Sequence, residues 1–424
     1  MTVLTEPATS ALADLESLAG TRSPVSLDIS RSALPDRLRP GALGVLDISE
    51  FFGETTGGVR TYLLQKARYV ENRGALRQIL VVPGACDSIH QTDGVRYYRL
   101  HGPSIPTQKP YRFMLATRST SRIVAHERPD LIEVGSAWCA PWLVHLARRQ
   151  LDVPTLWFYH SNFPRVIAPW PAKAGRVRHT ASRMAWAYVR RLSRLVDATL
   201  APSGFVADEL EREGVERVRR VTLGVDLERF HPRRRTYAAE TRRAFGLSDG
   251  PLALFVGRFA REKELDLLLS AWPSVEQRTG TRLVLIGDGP SRSRLQRRPG
   301  SERFSWLPFE RDRERVADLL AAVDLYVAPC SLETFGLSAL EAIASGTPIL
   351  TADRGGVAET VTNSGAGAHF RSGDPGSLAD AAAELLAGDL ASLGILGRRY
   401  AEAHHGWDNV LDRHFDIYRE ILGR

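Results

Sequence analysis

The stretch Asp324-Leu-Tyr-Val-Ala-Pro329, followed three residues later by Glu333-Thr-Phe-Gly-Leu-Ser-Ala-Leu-Glu341, reads as a strand, a loop and the opening of a helix. Its apolar run suits a strand buried on both faces, and the spacing after it predicts a helix from about Gly336 to Ala344. A strand that feeds directly into a helix is half of a βαβ unit. Upstream the pattern repeats in Leu252-Ala-Leu-Phe-Val-Gly257, a helical stretch over residues 265–272, and Leu283-Val-Leu-Ile-Gly287. Downstream it closes on Pro348-Ile-Leu350.

A second set of the same kind precedes this one. It contains Leu43-Gly-Val-Leu-Asp-Ile48, a helical stretch over residues 59–71, an Ile-Leu-Val-Val-Pro run, Leu131-Ile-Glu-Val134, and Thr155-Leu-Trp-Phe-Tyr-His160. Strands alternating with helices in two sets of similar size predict an α/β protein of two Rossmann-like, doubly wound domains and no single barrel. The expected division is a mobile or loosely docked leader over residues 1–40, an N-terminal domain over 41–223 joined by a C-terminal helix over 407–424, and a C-terminal domain over 224–406. Ligands of open parallel sheets sit beyond the carboxyl ends of the strands, so two such domains are expected to face each other across a cleft.

Composition narrows the class. Across 424 residues, hydrophobic residues make up 43% and charged residues 25%, which excludes disorder as the main state. Lysine and arginine number 56 against 49 aspartates and glutamates, a net charge of +7 that favours anionic partners. Cys86, Cys139 and Cys330 are far apart and odd in number, which argues against a disulfide framework or structural zinc and suits a reducing, cytoplasmic setting. No secretory signal and no apolar run near the ~20 residues of a membrane span is visible.

The motifs fall at strand ends. In Glu333 to Glu341, the backbone N–H groups of Phe335, Gly336 and Leu337 open a helix and can anchor an anion, while Gly336 permits close approach. An ordinary helix with two surface glutamates would show the same spacing. In Gly257-Arg258-Phe-Ala-Arg-Glu-Lys263, a guanidinium and an ammonium five residues apart can converge on one diphosphate, although a solvated loop also carries such charges. Glu54-Thr-Thr-Gly57-Gly58-Val59 offers backbone donors between the first strand and its helix. His160 ends a strand, a position that serves structural hydrogen bonding as readily as function.

Together these elements resemble the retaining glycosyltransferases of the GT-B fold, family 4. The resemblance rests on the Gly57-Gly58-Val turn, His160 and Gly257-Arg258-x(4)-Lys263. It also rests on Gly287-Asp-Gly-Pro290, the Glu333-x(7)-Glu341 motif, Gly346-Thr-Pro348 and Gly355-Gly-Val-Ala-Glu359. It covers about residues 43–420. It implies that Arg258 and Lys263 hold the donor diphosphate, that Glu333 contacts the donor sugar and that Glu341 binds the ribose. Thr334, Phe335, Gly336 and Leu337 would line the nucleotide sugar, Gly57 and Gly58 would face the diphosphate, and His160 would lie beside the sugar. His160, Glu333, Arg258 and Lys263 are the expected catalytic set. Cys330 stands where the family commonly has serine.

The implied reaction moves a hexosyl unit from a UDP- or GDP-sugar to a hydroxyl of a lipid, glycan or small molecule by same-face displacement. No metal is expected, because the chain has no D-x-D spacing and Arg258 and Lys263 already supply charge. Residues 173–194 carry seven lysines and arginines and no acidic residue, with Ala185, Tyr188, Val189, Leu192 and Leu195 at helical spacing. That pattern fits either a helix on an anionic membrane, making the protein peripheral, or a core helix with a solvated face. A GT-B epimerase or phosphorylase would share the architecture but lack the paired motifs. Nucleic acid is not an expected partner, since Arg233-Arg-Arg235 belongs to no nucleic-acid module.

Overall fold

Five of the six residues of Leu43–Ile48 are buried, so this strand lies inside a sheet covered on both faces, as its apolar reading requires. The computed structural model describes residues 28–53, 57–106, 111–148, 151–167 and 175–424, and these form two units. Residues 1–27 of the expected leader, Glu54 to Thr56, and Lys173 of the basic stretch lie outside the described residues.

The first unit comprises residues 28–201, 209–221 and 411–424 of the described chain. Its strands are β1 (Leu43–Ile48), β2 (Leu76–Gly84), β3 (Ser88–Gln91), β4 (Val95–His101), β5 (Leu131–Val134), β6 (Thr155–Phe158), β7 (Ala198–Ala201) and β8 (Val218–Arg220). They lie in the order β3-β4-β2-β1-β5-β6-β7-β8, parallel except for the antiparallel edge pair β3–β4. The chain builds outward from β1 through β2, then returns to β5 on the other side. The strand order therefore reverses between β1 and β5. Residues 28–40, expected to be loosely docked, are fastened: Arg122 donates to the Ile29 carbonyl (2.8 Å), the His126 ring bonds the Pro35 carbonyl (2.8 Å), and Ile29 is fully buried.

The second unit comprises residues 202–208 and 222–410. Its strands are β9 (Leu252–Val256), β10 (Arg282–Ile286), β11 (Ser305–Leu307), β12 (Leu325–Ala328), β13 (Ile349–Ala352) and β14 (Gly367–Phe370). All neighbours are parallel, in the order β11-β10-β9-β12-β13-β14, with the reversal between β9 and β12. One face of this sheet packs Phe255, Leu285, Val327 and Leu350 against Leu268, Trp272 and Leu378. Trp272 is fully buried and still satisfies its indole by donating to the Thr281 carbonyl (3.0 Å).

Candidate functional site

At the reversal point of the second unit, the loops leaving β9 and β12 are neighbours because their strands pair. The β9 loop carries Arg258 and Lys263, and the β12 loop carries Glu333. The β9 loop is held by the turn after β10: Gly257 N–H donates to the Ile286 carbonyl (3.1 Å), and Phe259 N–H to the Asp288 carbonyl (2.8 Å). Gly287 adopts φ 143°, and a Cβ there would stand 1.9 Å from the Gly257 carbonyl oxygen. Only glycine fits that crossing. Arg258, half-buried, is thus placed between Gly257 and the fully buried Phe259. The loop then closes in a short 3-10 turn, Arg261–Lys263, ahead of the Leu265–Thr279 helix.

The β12 loop is pinned from the opposite side. Gly356 N–H donates to the Glu333 carbonyl (2.7 Å), and a Cβ on Gly356 would meet the Thr334 carbonyl oxygen at 2.4 Å. The Thr334 carbonyl accepts from Ser203 (2.7 Å), while Phe335 is buried. Gly336 caps the Leu337–Ala344 helix at φ 91°, with the Val357 side chain filling the space a Cβ would need. Tyr326 of β12 reaches under the helix start, its hydroxyl donating to the Val256 carbonyl (3.2 Å) and hydrogen-bonded to the Ser338 hydroxyl (2.8 Å). The first N–H groups of this helix have no intrahelical acceptor and present a small concentration of positive partial charge.

Two carboxylate pairs result. Lys263 Nζ donates to Glu333, each side chain 24% exposed. Burial alone would lower the Lys263 pKa, but the Glu333 carboxylate outweighs it and holds the ammonium charged. Cys330 is buried and donates to the Glu262 carbonyl (2.8 Å), and burial pushes its thiol up to about 12. It therefore serves as a neutral hydrogen-bond donor, as a serine would. Glu341 makes the second pair. Its carboxylate, 7% exposed, accepts from Arg313, a residue the sequence reading did not single out. Burial raises the Glu341 pKa, and Arg313 opposes the rise.

The remaining site candidates belong to the first unit. Gly57 and Gly58 are exposed at the start of the Gly58–Glu71 helix, where Thr61 N–H donates to the Gly57 carbonyl (3.2 Å). His160 lies two residues beyond its strand, not at its end: β6 stops at Phe158, and His160 N–H turns back to the Phe158 carbonyl (3.0 Å). The imidazole stacks on Phe158, centroids 3.9 Å apart and planes within 8°. Burial pushes its pKa down to about 3 against the pull of Glu133, so the ring is neutral at physiological pH.

The reading also missed Glu50, which follows β1 at the reversal point of the first sheet. It is buried and accepts from Ser136 (2.5 Å) and from Cys139 N–H (2.9 Å), and burial raises its pKa. A glutamate directly after a strand of apolar residues was the available signal. In the basic helix Gly175–Ser193, Ala185, Val189 and Leu192 are buried, so its apolar stripe faces the core. Arg183, Met184, Arg191 and Arg194 are exposed. No helix among the described residues is long and apolar enough to cross a membrane.

Comparison with known proteins agrees with the fold. Residues 56–229 match the family described as Glycosyltransferase Family 4, and residues 238–402 match Glycosyl transferases group 1. A GDP-mannose-dependent alpha-mannosyltransferase of Mycobacterium tuberculosis is 30% identical over 384 residues, 89% of this chain and 96% of the relative. A GDP-mannose-dependent alpha-(1-6)-phosphatidylinositol dimannoside mannosyltransferase of the same species is 32% identical over 333 residues, 77% of this chain and 84% of the relative. Among solved structures, sucrose-phosphate synthase from Thermosynechococcus elongatus superposes with a TM-score of 0.72 at 22% identity, covering 90% of this chain and 99% of that one. WaaG, a glycosyltransferase involved in lipopolysaccharide biosynthesis, does so at 0.64 and 17%, covering 88% and 99%. With two parallel Rossmann-like sheets, strand-end loops bearing Arg258, Lys263 and Glu333, and a relative matched along nearly its whole length, the chain belongs to the group 1, family 4 glycosyltransferases of the GT-B fold, enzymes that take their glycosyl unit from a nucleotide sugar.

Proposed function

We propose that the protein is a retaining, metal-independent mannosyltransferase that uses GDP-mannose and delivers the sugar to a hydroxyl of a lipid or glycan acceptor. The observation that carries the reading is the pairing of Lys263 with Glu333 at the strand-order reversal, in a loop that also presents Arg258. Two cations and a helix N-terminus supply the charge a departing diphosphate needs. The relatives named for GDP-mannose support the donor. In the proposed step the bond from the anomeric carbon to the diphosphate oxygen breaks as the bond to the acceptor oxygen forms on the same face. The acceptor's proton passes to the leaving diphosphate. Glu333 orients the sugar hydroxyls and Glu341 accepts from the ribose, while His160, being neutral, acts through hydrogen bonding and brings no charge. The exposed arginines of the Gly175–Ser193 helix suit an acceptor carried on an anionic bilayer through electrostatics alone.

Calorimetric titration of GDP and UDP in EDTA, with transfer assayed from GDP-mannose and UDP-glucose, tests this reading. GDP binding without metal and turnover confined to GDP-mannose are expected. Binding that appears only when magnesium is restored would overturn metal independence, and turnover of UDP-glucose alone would overturn the donor.

A further inference from the structure

Glu341 stands in the run Ala339-Leu-Glu-Ala-Ile-Ala344, all of it buried. A carboxyl group in such surroundings is favoured in its protonated form, and a protonated acid gives up part of its capacity to accept hydrogen bonds. The ribose of a nucleoside diphosphate presents two adjacent hydroxyl donors, which call for an ionised acceptor. Arg313 supplies the opposing charge. It occupies the first turn of the Arg313–Ala322 helix, whose N-cap Asp312 accepts from Glu314 N–H (2.9 Å). Its guanidinium lies 5.2 Å from the centroid of the Phe230 ring, so an aromatic face and a carboxylate together fix its plane. The other charges facing Glu341 are Arg229 and Asp226. These two pair with each other at 3.3 Å and Arg229 also pairs with Glu314 at 2.8 Å, whereas Arg313 donates directly to the Glu341 carboxylate.

We propose that Arg313 is a positioning residue of the nucleotide site, a clamp that fixes the Glu341 carboxylate to accept from the vicinal hydroxyls of the donor's ribose. The proposal rests on the reading of Glu341 as the ribose ligand. It separates Arg313 from the cations that meet phosphate: Arg258 and Lys263 act on the nucleotide directly, whereas Arg313 acts through Glu341. Its influence is therefore contingent on Glu341 and is strongest where Glu341 would otherwise take up a proton.

The test is GDP titration of the full chain and its Arg313→Met, Arg313→Lys and Glu341→Gln variants, with the double variant, from about pH 6 to about pH 8.5, each affinity taken relative to the unsubstituted chain at the same pH. Thermal unfolding of each variant identifies any that fail to fold, and Arg313→Lys keeps the charge if Arg313→Met does so. Arg313→Met is expected to weaken GDP about tenfold near neutral pH, the magnitude of one charge-assisted hydrogen bond, with the deficit shrinking as pH rises. Arg313→Lys should retain most of the affinity. Arg313→Met added to Glu341→Gln should cost nothing more. A deficit that is the same at every pH, or one that adds in full to that of Glu341→Gln, overturns the clamp while leaving the ribose reading in place. Unchanged GDP affinity in Glu341→Gln removes the ribose reading itself and the clamp with it.

Discussion

The first unit encloses an ionic cluster built from the same residue types as the candidate site of the second, and the two are finished differently. Lys66, Asp47 and Glu133 are each no more than 1% exposed. Lys66 Nζ donates to Asp47 (2.7 Å) and to the Tyr418 hydroxyl (2.9 Å) and lies 3.5 Å from Glu133. Gln78 donates to the other Asp47 oxygen (2.6 Å), and Tyr62 and Tyr418 both donate to Glu133. Burial pushes the Asp47 carboxyl up to about 7 against the pull of Lys66, and burying these groups is tolerable because their hydrogen bonds are answered from within. Lys263 with Glu333 and Arg313 with Glu341 are simpler pairs, and three of these four side chains keep between 24% and 36% of their surface exposed. The contrast shows that charge type does not mark a binding site; unfinished solvation does.

The largest effect should come from breaking the closed cluster. Lys66→Met leaves two carboxylates buried without their cation and is expected to cost about 3–5 kcal/mol of stability, read from denaturant unfolding. A loss under ~1 kcal/mol would mean that the cluster is as open as the site and would erase the distinction. Lys263→Ala should do the reverse, cutting turnover at least about 100-fold while moving stability by less than ~1 kcal/mol, as expected for a partly exposed pair. Steady-state kinetics and a melting curve on one preparation check both halves.

A third experiment sharpens the comparison through pH. His160 is held near pKa 3 when folded, against the ordinary 6.5 when unfolded. The folded form refuses a proton that the unfolded chain accepts, so this contribution to stability is complete above pH 6.5 and is lost as pH falls toward 3. Between pH 6.5 and 5 the loss amounts to roughly 2 kcal/mol. The stability of His160→Gln should fall less steeply over that interval, and parallel slopes would show that the ring is solvated in the folded state. The smallest effect is a control. Arg278 and Asp380 pair at 2.7 Å with side chains 44% and 77% exposed, and a double-mutant cycle should give less than ~1 kcal/mol.

The second unit was the more legible of the two in the sequence. Leu252-Ala-Leu-Phe-Val and Asp324-Leu-Tyr-Val-Ala lie inside a sheet, so burial on both faces leaves a continuous apolar run. Its strand-end loops announce themselves through glycines such as Gly287 and Gly336, whose positive φ and close packing exclude other residues. Edge elements left weaker marks. Val95-Arg-Tyr-Tyr-Arg-Leu-His101 mixes charge with aromatics because it pairs with the short edge strand β3, and Ser305-Trp-Leu307 is too brief to carry a period. Arg313 was hidden for another reason. In Glu310-Arg-Asp-Arg-Glu-Arg315 every other residue is an arginine, and only the packing of its helix selects the one that meets Glu341. The sealed cluster was equally invisible, since Lys66 and Tyr418 stand 352 residues apart and no local pattern joins them.

That separation sets an order of events during synthesis. Residues 222–410, the bulk of the second unit, are complete before His414 and Tyr418 have been added to the nascent chain, yet these two residues bond to Tyr62, Lys66 and Glu133 in the first unit. Until then Tyr62, Lys66 and Glu133 lack these hydrogen-bond partners, so the cluster closes only once residues 411–424 have been added. A frameshift or proteolytic nick near residue 411 would therefore be felt at Tyr62, Lys66 and Glu133, far away in the sequence.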